Sequence, residues 1–256
     1  MVYLTGDTHA DFKRFTTKNF PEIKEMTKDD YIIILGDFGG IWDYKQSSAR
    51  ELGNLRFLED KPCTFCFVDG NHENYDRLNN DEFPVVDFHG GKAHQIRSNI
   101  LHLMRGYIFD FEGKKFFVMG GASSHDIQDG ILDPEKYSDP EIFERTYRRW
   151  YNQGRMFRVN HVSWWEREIP SEEELERGKE TLRNAGYKVD YVLTHCLPQT
   201  VCGALGYYCS DILTQYFDEL LEEGLDFKEW HCGHYHRIDD AFGKYHIHYE
   251  DIERIL

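Results

Sequence analysis

Five short apolar runs in this chain of 256 residues each stop abruptly at residues that carry chemistry, and that recurrence restricts the fold more than any other feature. Tyr31-Ile-Ile-Ile-Leu35 runs straight into Gly36-Asp37 and further glycines. The runs before Gly6-Asp7-Thr8-His9, Gly70-Asn71-His72-Glu73, Thr194-His195-Cys196 and Gly233-His234-Tyr235-His236 end in the same way. A β-branched or aromatic run of this length bounded by glycine reads as a buried strand. The pattern therefore predicts strand ends gathered at one edge. Residues from Asp7 to His236 can meet only if the two halves are not independent, so one domain over 1–256 is expected. An apolar content of 40%, with 15% aromatic residues, is enough to fill its core.

Taken in order, Val2–Thr5, Tyr31–Leu35 and Thr64–Val68 read as parallel strands, with a helix over 47–60, capped by Ser47 or Ser48, crossing between the second and third. A helical turn is expected over 74–79. Ile100–Leu103, Tyr107–Phe111 and Lys115–Met119, separated by Arg105-Gly106 and Glu112-Gly113, read as hairpins of a second, antiparallel-rich sheet. Residues 133–160 read as a polar, partly helical insertion. Ser171 and Glu174 form a capping box that opens a helix ending at Gly186. A strand over 191–194 precedes a helix from Ser210 or Asp211 to Glu223 with Ile212, Leu213, Tyr216, Phe217, Leu220 and Leu221 on one face. Strands over 228–232, 237–242 and 245–249 complete the chain.

The polar strand ends have the donor types of a metal centre. Asp7 and His9 are two apart and, just past a strand end, can grip one ion. Mixed oxygen and imidazole donors suit Mn, Fe, Zn or Ni better than Mg or Ca. Two ions held ~3.5–4 Å apart need a shared ligand with two equivalent oxygens, which a carboxylate provides. Asp37 is assigned that bridge. Asn71 offers an amide oxygen, and His195, His234 and His236 offer nitrogen. A lone D-x-H or G-H-x-H is a weak signal, whereas all five clusters in this order are specific.

That order resembles the calcineurin-like metallophosphoesterase superfamily over nearly the whole chain. The resemblance implies an α/β fold built as a four-layer α/β/β/α sandwich, two sheets flanked by helices. It also implies two metal ions, most readily Mn, and hydrolysis of a phosphoester by a metal-activated hydroxide. By the same resemblance Asp7, His9, Asp37 and His236 hold one ion, and Asp37, Asn71, His195 and His234 the other. His72 matches the histidine that contacts the substrate phosphate and assists the leaving group, a role that suits its ordinary pKa of about 6.5. Gly120-Gly121-Ala122 with Ser124 and Asp126, followed by Trp164-Trp165, is similar to a small bacterial and phage subgroup. The phosphoprotein phosphatase branch carries G-D-x-x-D-R-G where this chain reads Gly36-Asp37-Phe38-Gly39-Gly40-Ile41-Trp42. The phosphate-gripping arginine and the acid that pairs with the catalytic histidine are both missing there, which disfavours a protein phosphatase and leaves Asp43 or Glu73 to orient His72. Ala10 replaces the usual glycine of D-x-H-G. A non-catalytic scaffold of the same fold would show gaps in the ligand set, and every ligand position here is filled.

The net charge of −16 argues against broad attraction to nucleic acid or an anionic membrane. No stretch approaches the ~18 apolar residues of a membrane helix, and no export-like segment precedes the first strand, so a cytoplasmic protein with free thiols is expected. Cys63 and Cys66, three apart in a strand, face opposite sides and are read as buried thiols, not a redox pair. Arg145, Arg148, Arg149, Arg155 and Arg158 reverse the local charge in a stretch with no Asp or Glu. Arg148 and Arg149 are expected to bind a nucleotide-like substrate at the rim, against the alternative that these arginines pair with surplus carboxylates.

Overall fold

The computed structural model describes residues 1–208 and 210–256; Cys209 lies outside them. Two large mixed sheets pack face to face with helices on both outer faces, the four-layer arrangement expected from the sequence. In chain order, β1 (Val2–Thr5), β2 (Tyr31–Leu35), α1 (Ala49–Glu59), β3 (Thr64–Val68), α2 (Tyr75–Leu78), β4 (Val85–Phe88), β5 (Gly91–Arg97) and β6 (Ile100–Leu103) build the first half. The second half comprises β7 (Tyr107–Phe111), β8 (Lys114–Met119), β9 (Ile131–Leu132), α3 (Pro140–Asn152), β10 (Arg158–Val159), α4 (Glu172–Asn184), β11 (Tyr191–Thr194), α5 (Gln199–Leu205), α6 (Ile212–Glu222), β12 (Glu229–Cys232), β13 (Asp239–Ala241), β14 (Tyr245–Ile247) and β15 (Glu253–Arg254). The first sheet has the order β15-β1-β2-β3-β6-β5-β4 and the second β13-β14-β12-β11-β8-β7. No helix among the described residues is long and apolar enough to cross a membrane.

The inner strands β1, β2, β3, β6 and β11 are buried at every position because each is covered on both sides. Ile33 and Leu35 of β2 face Phe109, Phe116, Val118 and Leu193 between the sheets, while Ile32 and Ile34 face Phe15, Leu55 and Leu58 under α1. On the second sheet, Phe117, Val192 and Trp230 point outward to Leu182 of α4 and Leu213, Phe217 and Leu220 of α6. Cys63 and Cys66 belong to different cores on opposite faces of the first sheet, both buried and free, as their spacing predicts.

Two expectations need correction. Ile100–Leu103 does not join Tyr107–Phe111 in a hairpin: β6 pairs in parallel with β3 in the first sheet, and the chain crosses to the second sheet through Arg105-Gly106. The second sheet is not antiparallel-rich, since β8-β11, β11-β12 and β12-β14 are parallel and only the edge strands β7 and β13 run against their neighbours. β6 does form a hairpin, but with the preceding β5, and its parallel partner β3 lies more than thirty residues back, a choice of which its own sequence holds no trace. The β4–β5 hairpin also went unread. Its His89-Gly90 turn has both residues in the left-handed region, φ 47° and 88°, but the flanking Gly91-Lys92-Ala93-His94-Gln95 lacks a strand's apolar alternation.

Several buried histidines brace this frame. His94 Nδ1 lies 3.0 Å from His102 Nδ1, and His102 Nε2 donates to Asp69 at 2.9 Å. His231 Nδ1 lies 3.0 Å from His248 Nε2. Burial, reinforced by the neighbouring imidazole, pushes both His94 and His231 down to about 4. Between an unfolded value near 6.5 and this folded one, the unfolded chain binds protons that the native state does not. Stability from these two sites is therefore complete above pH 6.5 and falls as pH drops toward 4, by roughly 2 kcal/mol for each at pH 5 at about 1.4 kcal/mol per unit. Denaturant melts at pH 7 and pH 5 should show this loss, and His94→Gln/His231→Gln protein should lose distinctly less; parallel losses in the two proteins would refute the assignment.

Candidate metal centre and active site

The adjacent parallel strands β1, β2 and β3 end in Asp7, Asp37 and Asn71, and the adjacent parallel strands β8, β11 and β12 end in the 120–126 loop, His195 and His234. Carboxyl ends of parallel strands present their loops on one side, and here both sheets present them to the same place. Asp7, His9, Asp37 and His236 offer donor atoms that all lie within 4.8 Å of one another. His236 Nε2 is 3.1 Å from Asp7 Oδ2, and His9 Nε2 is 3.7 Å from Asp37 Oδ2. Asp37 Oδ1 faces the other way, 3.3 Å from His195 Nε2, whose ring stands 4.9 Å from that of His234.

The backbone is bent to bring these groups together. His9, Ala10, Asp37, His234 and His236 all have positive φ, between 44° and 72°. Such strain, of order 1–3 kcal/mol for each residue, persists only where the surroundings enforce it. Gly36, at φ 95°, abuts the His195 ring, and a Cβ there would collide with it; a Cβ at Gly233 would strike Asp7 Oδ1. Arg14 fixes the first loop by donating to Asp7 O at 2.7 Å, Thr5 Oγ1 at 2.8 Å and the carbonyl of Tyr249. Thr8 Oγ1 and the amides of His9 and Ala10 then tie that loop to Asp37 O and Phe38 O.

Asn71 Oδ1 is buried without a hydrogen-bond partner, and the buried Asp7 Oδ2 and His195 Nε2 meet His236 and Asp37 only out of hydrogen-bond alignment. Orphaned buried donors and acceptors are costly, and these three belong to one cluster, so the residues fit cation ligation. Electrostatics agree. Burial opposes charge on Asp37, yet His195, with His72 and His9, holds its carboxyl well below the usual range. His195 is correspondingly raised to about 10, because Asp37 and Asp7 outweigh the burial that would keep it neutral. The two carboxylates demand positive charge. A bound cation would supply it and leave His195 neutral, as ligation requires.

His72 lies beside this group, its Nε2 4.0 Å from Asp37 Oδ2 and its amide donating to Asp37 Oδ1 at 2.8 Å. Neither acid expected to orient it does so. Glu73 accepts from Phe38 N at 2.7 Å, and burial with Asp37 close by raises its carboxyl well above its ordinary value; Asp43 accepts from Ser48 N. Arg158 stands against the ring instead, with Nη1 and Nη2 each 3.4 Å from a ring nitrogen, and is itself held by Asp126 at 2.8 Å. Burial, aided by this guanidinium, pushes His72 down to about 4 despite Asp37. His125 also enters, its Nε2 2.7 Å from His234 Nε2. Its place in the loop after β8 is its one signal in the sequence, since no motif marks it.

Arg148 and Arg149 sit on the exposed α3, where Arg148 pairs with Glu144 at 2.7 Å and Arg145 with Glu141 at 3.8 Å. No hydrogen bond or ion pair among the described residues joins either to the Asp37 cluster. The helix reaches the site indirectly: Tyr147 and Trp150 pack on Phe157, next to Arg158, at ring distances of 5.5 and 5.3 Å. A cleft of about 260 Å³ lined by His9, Gly39, Trp42, Arg50, Asn54 and His72 opens beside the cluster.

This fold and this array of carboxylate and imidazole donors at converging strand ends define a metal-dependent hydrolase. A family model described as calcineurin-like phosphoesterase matches residues 1–238, and the chain belongs to that family of metal-dependent phosphoester hydrolases. No curated protein matches it.

Asn71 is oriented from behind. Its Nδ2 donates to Ser124 Oγ at 3.4 Å, and Ser124 donates from Oγ and N to the buried Glu168 at 2.6 and 2.8 Å, leaving Asn71 Oδ1 free. Groups that orient ligands in this way typically contribute 10–100-fold to metal affinity. Ser124→Ala should weaken Mn retention by about that factor in a chelator competition; unchanged retention would remove Ser124 from this role.

Proposed function

We propose that the protein is a dinuclear phosphoesterase acting on a small phosphoester such as a nucleotide or a nucleic-acid end. The observation that carries this reading is the division of Asp37, whose Oδ2 faces His9 and whose Oδ1 faces His195. One ion would be held by Asp7, His9, Asp37 and His236, and another by Asp37, Asn71, His195 and His234. Mn is the leading choice, with Fe, Zn or Ni also compatible with mixed oxygen and nitrogen donors. Such ions, when bound, polarise phosphate oxygens and lower the pKa of water.

The chain's own residues do the rest. Asp37 and Asp7 keep the ligand set anionic enough to retain cations, yet they are only two carboxylates, so a loaded site keeps a positive balance for an anionic ester. His72 faces the place where the leaving oxygen departs and is assigned its protonation. A phosphate anion beside the ring favours the imidazolium that burial and Arg158 disfavour. The cleft's volume of about 260 Å³ lies near the lower end of the roughly 300–1,000 Å³ typical of small-molecule sites. The buried free thiols of Cys63 and Cys66 support a cytoplasmic setting, and one domain over 1–256 belongs to the same reading.

Asp37→Asn should lose both ions by metal analysis and nearly all turnover of an aryl phosphate panel, because an amide offers one good donor oxygen and no charge; two ions retained per chain would defeat the bridge. His72→Asn should keep its metal and lose about 10²–10⁴ in rate on esters with poor leaving groups. An activated aryl ester should suffer far less, and equal losses on both would exclude proton donation. Arg148 and Arg149 are retained as an outer contact for a nucleotide-like substrate. Arg148→Glu/Arg149→Glu should raise KM for nucleotides well above its effect on a small aryl phosphate, with an unchanged KM assigning both residues to the insertion's own stability.

A further inference from the structure

The loop after β2 lacks the arginine that grips phosphate in the phosphoprotein phosphatases, and the geometry points to Arg158, carried in by the insertion, as the phosphate-binding residue of this site. The inference rests on the phosphoester reading. Arg158 lies on β10, whose pairing with β9 closes the insertion at its base. Its guanidinium is mostly buried, with a side-chain exposure of 17%. Asp126 holds it along one edge, with Nε 2.8 Å from both carboxylate oxygens and Nη2 2.6 Å from Oδ2, and away from that edge Nη1 reaches Ser163 O at 3.3 Å.

The other edge is turned to His72, and a donor count shows spare capacity there. A guanidinium carries five N–H groups, whereas a neutral imidazole has one acceptor nitrogen. Nη1 and Nη2 both stand 3.4 Å from His72 ring nitrogens, so at most one of the two can be satisfied by it. At least one N–H is left aimed into the site. The Nε2 that Nη2 meets is itself 4.0 Å from Asp37 Oδ2, so a single imidazole nitrogen links the guanidinium to the carboxylate of the cluster. A phosphate held there meets both His72 and a fork whose terminal nitrogens match two of its oxygens. Asp126 is then a positioning residue, fixing the plane of the fork.

The bland reading is a strut, in which the Asp126 pair merely ties the insertion to the 120–126 loop. Calorimetric titration of Mn-loaded protein with inorganic phosphate separates the two. Arg158→Ala should bind phosphate 10- to 100-fold more weakly than wild type with its metal content unchanged, and Arg158→Lys, a charge without a fork, should fall between them. Wild-type affinity in Arg158→Ala overturns the proposal, even where the melting temperature drops. Should the alanine variant not fold, full affinity in Arg158→Lys overturns the fork. Failure of the wild type to bind phosphate overturns it as well. Turnover is read separately: a wild type that hydrolyses no ester yet binds phosphate through Arg158 removes the phosphoesterase reading and leaves this one standing.

Discussion

Keeping a charged carboxylate inside the protein at Asp37 is the constraint to which the rest of the site answers. Desolvating a carboxylate costs several kcal/mol unless opposite charge and hydrogen bonds compensate, and Asp37 shares its pocket with the equally buried Asp7. Three imidazoles, those of His195, His72 and His9, are drawn up to it. Burial and the nearby Asp37 raise the carboxyl of Glu73, the next one along, so charge on it is disfavoured. Left-handed backbone at five non-glycine residues is the conformational cost of aiming these groups inward. Ala10, which stands where the resembling family commonly has glycine, accepts φ 62° as part of it.

Convergence also needs two sheets that cannot slide past one another. Asp69, fully buried after β3, accepts from His102 of β6, from Tyr75 of α2 and from Arg105 at the crossing between sheets. Its backbone oxygen takes Gly121 N from the loop after β8. Arg105 continues to the carbonyls of Arg167 and Glu168, so the segment that orients Asn71 through Ser124 hangs on the same ion pair. On the second sheet, Trp230 Nε1 donates to Thr194 Oγ1 at 2.7 Å, setting the end of β11 where His195 begins. These polar ties lie at the loaded end of the sandwich, while the apolar layer between the sheets holds the remainder. Burial would raise Asp69, but Arg105 and His102 keep it ionised and the network closed.

In an acidic protein of net charge −16, Arg158 is a mostly buried guanidinium standing against His72. The exposed arginines of α3 find glutamates one turn back on their own helix, pairs that contribute little in solvent. The i, i+3, i+4 spacing of Arg145, Arg148 and Arg149 guarantees a shared face but says nothing about where that face looks. Arg158 had no such periodicity to recommend it. Its position follows from the two-residue pairing of β9 with β10, too short to carry a sequence signature.

By itself the sequence determined the strands that deliver the site and the polar residues at their ends, while the four-layer class came with the family resemblance. The reason is that a strand buried on both faces must be apolar to its last residue, and the change to glycine, aspartate, asparagine or histidine marks its end without reference to any partner. Caps were equally local: Ser48, Ser171 and Asp211 accept from the amides three residues on, as their spacing requires. Only the tertiary structure decided which sheet β6 would join, that the second sheet would be parallel at its centre, and that Arg158, Asp126 and His125 would stand beside the cluster. Those outcomes depend on contacts between residues far apart in the chain, and a loop or a two-residue strand has no periodicity from which a distant neighbour can be read.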